Sequence, residues 1–227
     1  MKMLGFAGVA GTVLALVWSG MAMAGEDAKL VPLEIKLPKP MFVGTPKNFK
    51  LEPWMEKPSG KPRPAFLAPE GTTNVALNKP VTSSDKEPIV GEIAMVANGD
   101  KEGTDGSYVE LGPGLQYVQI DLQAPHSIYA ILMWHYHGEA RLYHDVVVQV
   151  ADDADFITNV RTLLNNDHDS SSGLGVGKDK EYFETNEGKL IDAKGEKARY
   201  VRLYSKGSTS SDQNHYTEVE VYGRPAK

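Results

Sequence analysis

The sequence predicts an all-β chain, a sandwich of antiparallel strands, and three observations carry that prediction. From Leu115 to Val150 the first run alternates: Val118, Ile120 and Leu122 interleave with Tyr117, Gln119 and Asp121, the period of two expected of half-buried strands. Two further runs rich in β-formers follow, His126 to Trp134 and Asp145 to Val150, separated by the turn signals Ala124-Pro125-His126 and His137-Gly138-Glu139. Helical amphipathicity is confined to one stretch, Asp155 to Leu164.

Composition sets the frame for these strands. At 227 residues, 41% hydrophobic and with a formal net charge of -6, the chain suffices for one buried core plus extensions. Its charge is scattered, with no basic stripe to neutralise phosphates, which argues against a nucleic-acid partner. The first residues read as a secretory signal, residues 1–24. Lys2 gives the basic start, Leu4 to Trp18 the apolar core and Ala22-Met23-Ala24 the cleavage pattern, so Gly25 becomes the first mature residue. No cysteine follows, so no disulfide or lipid anchor forms there. The expectation is a secreted or periplasmic bacterial protein with no membrane insertion after cleavage.

Residues 25–72 form a proline-rich extended arm. Nine of the fourteen prolines lie between positions 32 and 69, a density that excludes helices and central strands. Leu33, Ile35, Leu37, Phe42, Phe49, Trp54 and Phe66 are too many apolar residues for a solvated linker. The arm is expected to lie along its own domain or along a protein partner.

The globular domain, residues 73–227, opens with Asn74-Val75-Ala76-Leu77-Asn78-Lys79-Pro80 and runs on to Ser83-Ser84. In order follow Ala97-Asn98-Gly99-Asp100, Val118 to Leu122, Ala198 to Leu203 and Glu218-Val219-Glu220-Val221-Tyr222-Gly223. This ordered set resembles the discoidin-like (coagulation-factor type C) family and its fucolectin relatives. The resemblance implies a jelly-roll β-sandwich with both termini at one end and binding loops at the other. The remaining elements agree with it. Lys180 to Thr185 and Ala198 to Ser205 read as strands, Tyr216 to Tyr222 as the closing strand, and Asn165 to Asp179 as a long polar loop.

The resemblance also implies a structural calcium ion, held by the loop after the first strand and a closing-strand glutamate. Asn98, Asp100, Asp105, Ser107 and Glu218 supply hard oxygens of the type calcium requires. The family's Asp-Gly-Asn stands here as Asn98-Gly99-Asp100, which moves the charged ligand, and a plain Asx/Gly turn is the alternative. His135, His137 and His144 form a second candidate cluster, His135 and His137 sharing a strand face and His144 or Glu139 across the turn giving the third ligand that zinc or copper requires. A third reading makes Trp134, His135, Tyr136, His137, Arg141 and Tyr143 a ligand face, aromatic rings for a sugar's apolar side and Arg and His for its hydroxyls. Against it stands plain packing of Trp134 and Tyr136. Fucolectins use a His and two Arg residues at such loops. Only Arg141 has a counterpart here, so fucose specificity does not carry over.

These residues lack a nucleophile motif, a phosphate loop and a persuasive acid pair. The expected function is therefore non-catalytic recognition of a carbohydrate or an envelope surface by loops around residues 83–92, 134–144, 165–179 and 206–215. The alternative is an accessory subunit docking on an envelope protein through the arm, and a weaker one is a metal-dependent enzyme whose turnover depends on His135, His137 or Asp100.

Overall fold

The structure, a computed structural model, describes residues 28–41 and 50–226. The expected signal segment and Phe42 and Phe49 of the arm lie outside the described residues. Ten strands form: β1 Leu30–Pro32, β2 Leu67–Pro69, β3 Thr73–Asn74, β4 Val81–Ser83, β5 Val109–Pro113, β6 Gln116–His135, β7 Val147–Ala151, β8 Arg161–Asn165, β9 Lys189–Ser205 and β10 Gln213–Pro225. One 3-10 turn, Ile93–Ala97, is the helical element among the described residues. The stretch expected to be helical, Asp155 to Leu164, is instead a turn leading into β8. Asp153 organises it by accepting the amides of Asp155, Ile157 and Thr158, a local competitor that removes helical bonding.

The strands run in the order β3-β10-β6-β9-β7-β8, with β4 on β6 and β5 on β10. Two of the expected strands are one, because β6 passes through Ala124-Pro125 without reversing. The segment is a bulge, marked by the register shift between Asp121 and His126 and by Gln123 at φ 67. Before the bulge β6 pairs β4, and after it β10, while β9 follows it throughout. Both halves point apolar side chains inward. Val118, Ile120, Leu122, Val148, Val150, Val201 and Leu203 from one half meet Ile128, Ile131, Met133, Ile191, Val219 and Val221 from the other in a single core. That closure makes the jelly-roll sandwich. The expected strand at 180–185 is reduced to isolated bridges, Met55↔Glu181 and Leu142↔Phe183.

Alternation leaves Ala130, Leu132, Trp134 and Tyr222 on the opposite face, where they make a second apolar cluster. Leu33, Ile35 and Phe66 of the arm pack on it. β1 and β2 pair antiparallel, and the Leu33 amide continues the ladder to the Phe66 carbonyl at 2.8 Å. Further along, the Glu181 amide donates to the Trp54 carbonyl at 3.0 Å and the Glu56 amide to the Glu181 carbonyl at 2.7 Å. The described arm is thus hydrogen-bonded to the sandwich rather than held away from it.

Candidate functional site

Four loops meet beside the end of β6. Residues 89–90 are bonded to Glu110, 103–108 precede β5, 136–144 follow β6, and 207–209 return to 142–144. Their centre is aromatic. The Tyr108 and Tyr136 rings meet edge to face at 5.1 Å, and His215 lies 5.6 Å from Tyr108. The Arg141 guanidinium lies over the Tyr136 ring at 4.7 Å and bonds Glu139.

The six residues expected to contact a ligand are divided by the fold. Trp134, His135, His137 and Tyr143 are buried, Arg141 nearly so, and Tyr136 is partly exposed. Trp134 is a packing residue: it lies in the cluster under the arm and its Nε1 donates to the Asn186 carbonyl at 3.0 Å. His135 stacks on Tyr143 at 4.2 Å, and its Nδ1–H donates to Glu184 Oε1 at 2.7 Å. A carboxylate only accepts, so Nδ1 carries the hydrogen of this bond. His137 Nε2–H donates to the Lys101 carbonyl at 2.8 Å, and His144 Nδ1–H to Glu181 Oε1 at 2.8 Å. Each imidazole thus has its own partner, and among the described residues the three do not form a group with metal-ligand spacing. The shared strand face is lost because β6 ends at His135.

Burial also sets the protonation of this end. Desolvation, then the Arg141 charge and His135, push His215 down to about 4, so its ring is neutral at physiological pH. Burial raises the Tyr143 hydroxyl above its ordinary range. His144 moves the other way, its bond to Glu181 raising it above the ordinary imidazole value.

Of the residues expected to hold calcium, Asn98, Asp100 and Ser107 are bonded within one loop, and Glu218 reaches that loop from β10. Asn98 Oδ1 accepts the Asp100 amide at 2.7 Å, while Asp100 accepts the Glu102 amide at 3.0 Å and the Ser107 hydroxyl at 3.1 Å. These are turn-forming bonds. Asp105 is exposed beside Tyr108. Glu218 is fully buried and accepts the Gly99 amide at 3.1 Å. Its other oxygen, Oε1, is buried without a hydrogen-bond partner. Burial pushes the Glu218 carboxyl up to about 9. A different carboxylate group has the spacing for a cation: oxygens of Asp145, Asp167 and Asp169 lie within 4.8 Å of one another. Asp167 is largely committed to the loop, taking the Ser171 and Ser172 amides at 3.1 and 2.9 Å, and the Lys206 ammonium stands 3.7 Å from Asp145.

No family model and no curated protein matches the chain. Solved structures do resemble it. A chitosan-binding module of a chitosanase/glucanase from Paenibacillus sp. IK-5 is 21% identical over 66% of this chain and 99% of the module, with a TM-score of 0.45. A fucose-binding module from Streptococcus pneumoniae is 17% identical over 66% and 97%, also at 0.45. A CBM32 module from Clostridium perfringens, solved with GlcNAc-α-1,4-galactose, is 14% identical over 68% and 96%, at 0.47. The likeness is one of fold. Among the described residues no helix is long and apolar enough to cross a membrane.

Sequence reasoning missed Tyr108 and Glu184 at this end, took Glu139 only as a possible third metal ligand, and placed His215 only at the end of a recognition loop. His215 closes the polar run from Lys206 that was expected to line a loop, and that position was its one available signal. Glu184 had none, since it lies 49 positions from His135.

Proposed function

We propose that the chain is a non-catalytic carbohydrate-recognition module, exported by its N-terminal segment, that binds at the loop end through Tyr108, Tyr136, Glu139 and Arg141. The observation that supports this reading is the Arg141 guanidinium held over the Tyr136 ring, with Tyr108 edge-on and Glu139 paired to it. Aromatic edges meet the apolar face of a pyranose, and the guanidinium and carboxylate exchange hydrogen bonds with its hydroxyls. Because these groups are fixed against each other before binding, little side-chain entropy is lost on contact. His135 and Glu184 are wholly buried. They hold the turn beneath the site and do not face a ligand.

The test is a glycan array with a cell-wall polysaccharide pull-down, repeated with Tyr136→Ala and Arg141→Gln. The expected result is binding to a defined glycan that each substitution weakens by about tenfold, a loss of one good contact, with the thermal midpoint kept within a few degrees. Blank arrays and pull-down together would remove the carbohydrate reading. Unchanged binding by Tyr136→Ala would move the site elsewhere on the sandwich.

A further inference from the structure

We infer that Lys101 is a cation built into the chain, taking the place of the calcium ion that the sequence resemblance implies, and that the loop at 98–103 is held without a metal. The surroundings of its ammonium carry this. Lys101 Nζ pairs with Glu220 Oε1, and both side chains are largely withdrawn from solvent, 13% and 7% exposed. The other oxygen of Glu220 accepts the Tyr222 hydroxyl at 2.8 Å. The ammonium also lies 5.1 Å from the centre of the Trp134 ring, a cation–π contact in a desolvated setting.

The row Glu218, Glu220 and Tyr222 lies on one face of β10, with Glu218 opposite Trp134 and Glu220 opposite Leu132 on β6. Carboxylates on so apolar a face need positive partners. Here the loop supplies the Lys101 ammonium to Glu220, while Glu218 accepts the Gly99 amide on one oxygen, keeps Oε1 buried without a partner, and is pushed up by burial to about 9.

The lysine is anchored from its backbone as well. Its carbonyl accepts His137 Nε2–H at 2.8 Å, and the chain then passes so close to that ring that a Cβ on Gly103 would lie 2.8 Å from His137 Cε1. Glycine at 103 is what allows this approach. Loop, closing strand and the end of β6 are therefore joined by one tethered charge. A divalent ion seated against Glu218 would stand beside that ammonium and be repelled by it.

Thermal unfolding in chelator and in millimolar calcium chloride, with a calcium titration by calorimetry, tests this on the wild-type protein. The expected result is coincident midpoints and no binding heat attributable to this loop. A rise of several degrees on adding calcium that Glu218→Gln abolishes would overturn the inference, since an ion bound only to the folded state must raise the midpoint. Lys101→Met is expected to lower the midpoint by about 5–10 °C, because it strands a buried carboxylate. Adding Glu220→Gln to Lys101→Met should restore most of that loss. An unchanged midpoint in Lys101→Met would equally overturn it. Should Lys101→Met fail to fold, the wild-type comparison still decides.

Discussion

His215 makes the stability of the domain sensitive to acid. Its folded value, about 4, lies below the value of about 6.5 expected in the unfolded chain. As pH falls below about 6.5 the unfolded state takes up a proton that the folded state refuses, and stability declines until about pH 4. The shift corresponds to about 3 kcal/mol across that window. His144 has the opposite sign: its raised value contributes stability that is complete below about 6.5 and is lost as pH rises through its folded value. Glu218 and His144, both raised, oppose this loss, so the test is the difference between two proteins. On going from pH 7 to pH 4.5 in urea unfolding, His215→Gln should fare better than the wild type, and an equal change in both would clear His215 of the effect. Gly188 is a second sensitive position. At φ +62, its Cβ would lie 2.6 Å from the Trp134 ring, so Gly188→Ala combines backbone strain with overpacking and should cost roughly 2 kcal/mol or more. A variant that unfolds at the wild-type urea concentration would contradict that account.

The arm behaves as a further layer of the sandwich. Leu33, Ile35 and Phe66 pack on Ala130, Leu132, Trp134 and Tyr222, a face that alternation alone leaves apolar on both sides of the strand. Phe66→Ala should lower stability by about 2 kcal/mol, below the cost at a fully buried site because Phe66 is only partly covered. Proteolytic removal of residues through 72 should uncover the cluster and raise the binding of a hydrophobic dye. If neither stability nor dye binding changes, the arm merely rests on the sheet. The sequence announced the apolar content of the arm but not its seat, because an extended chain carries no periodicity to say which face it meets. The strands were legible for the opposite reason. Val118, Ile120 and Leu122 obey a period of two that survives any tertiary context, whereas the bulge after Asp121 looks in sequence like an ordinary proline turn.

At the scale of the whole molecule, the candidate site was legible in residue type and less so in depth. Trp134, His135, His137 and Tyr143 belong to the right strand end, but which of them face outward depends on where β6 stops and on partners remote in sequence, such as Glu184. Lys101 was invisible for the same reason, being one lysine of many until the closing strand places Glu220 beside it. That closing strand has one more consequence. β10 follows the other described strands in sequence, yet it stands inside the sheet, bonded to β6 on one side and to β3 and β5 on the other. Sequence order and sheet order therefore disagree among the described strands. Without Gln213–Pro225, β3 and β5 lack their partner and half the core lacks its lid, so the sheet closes only through long-range pairing. Loss of residues 213–225 would accordingly abolish folding, where the same loss from an edge strand would only fray it.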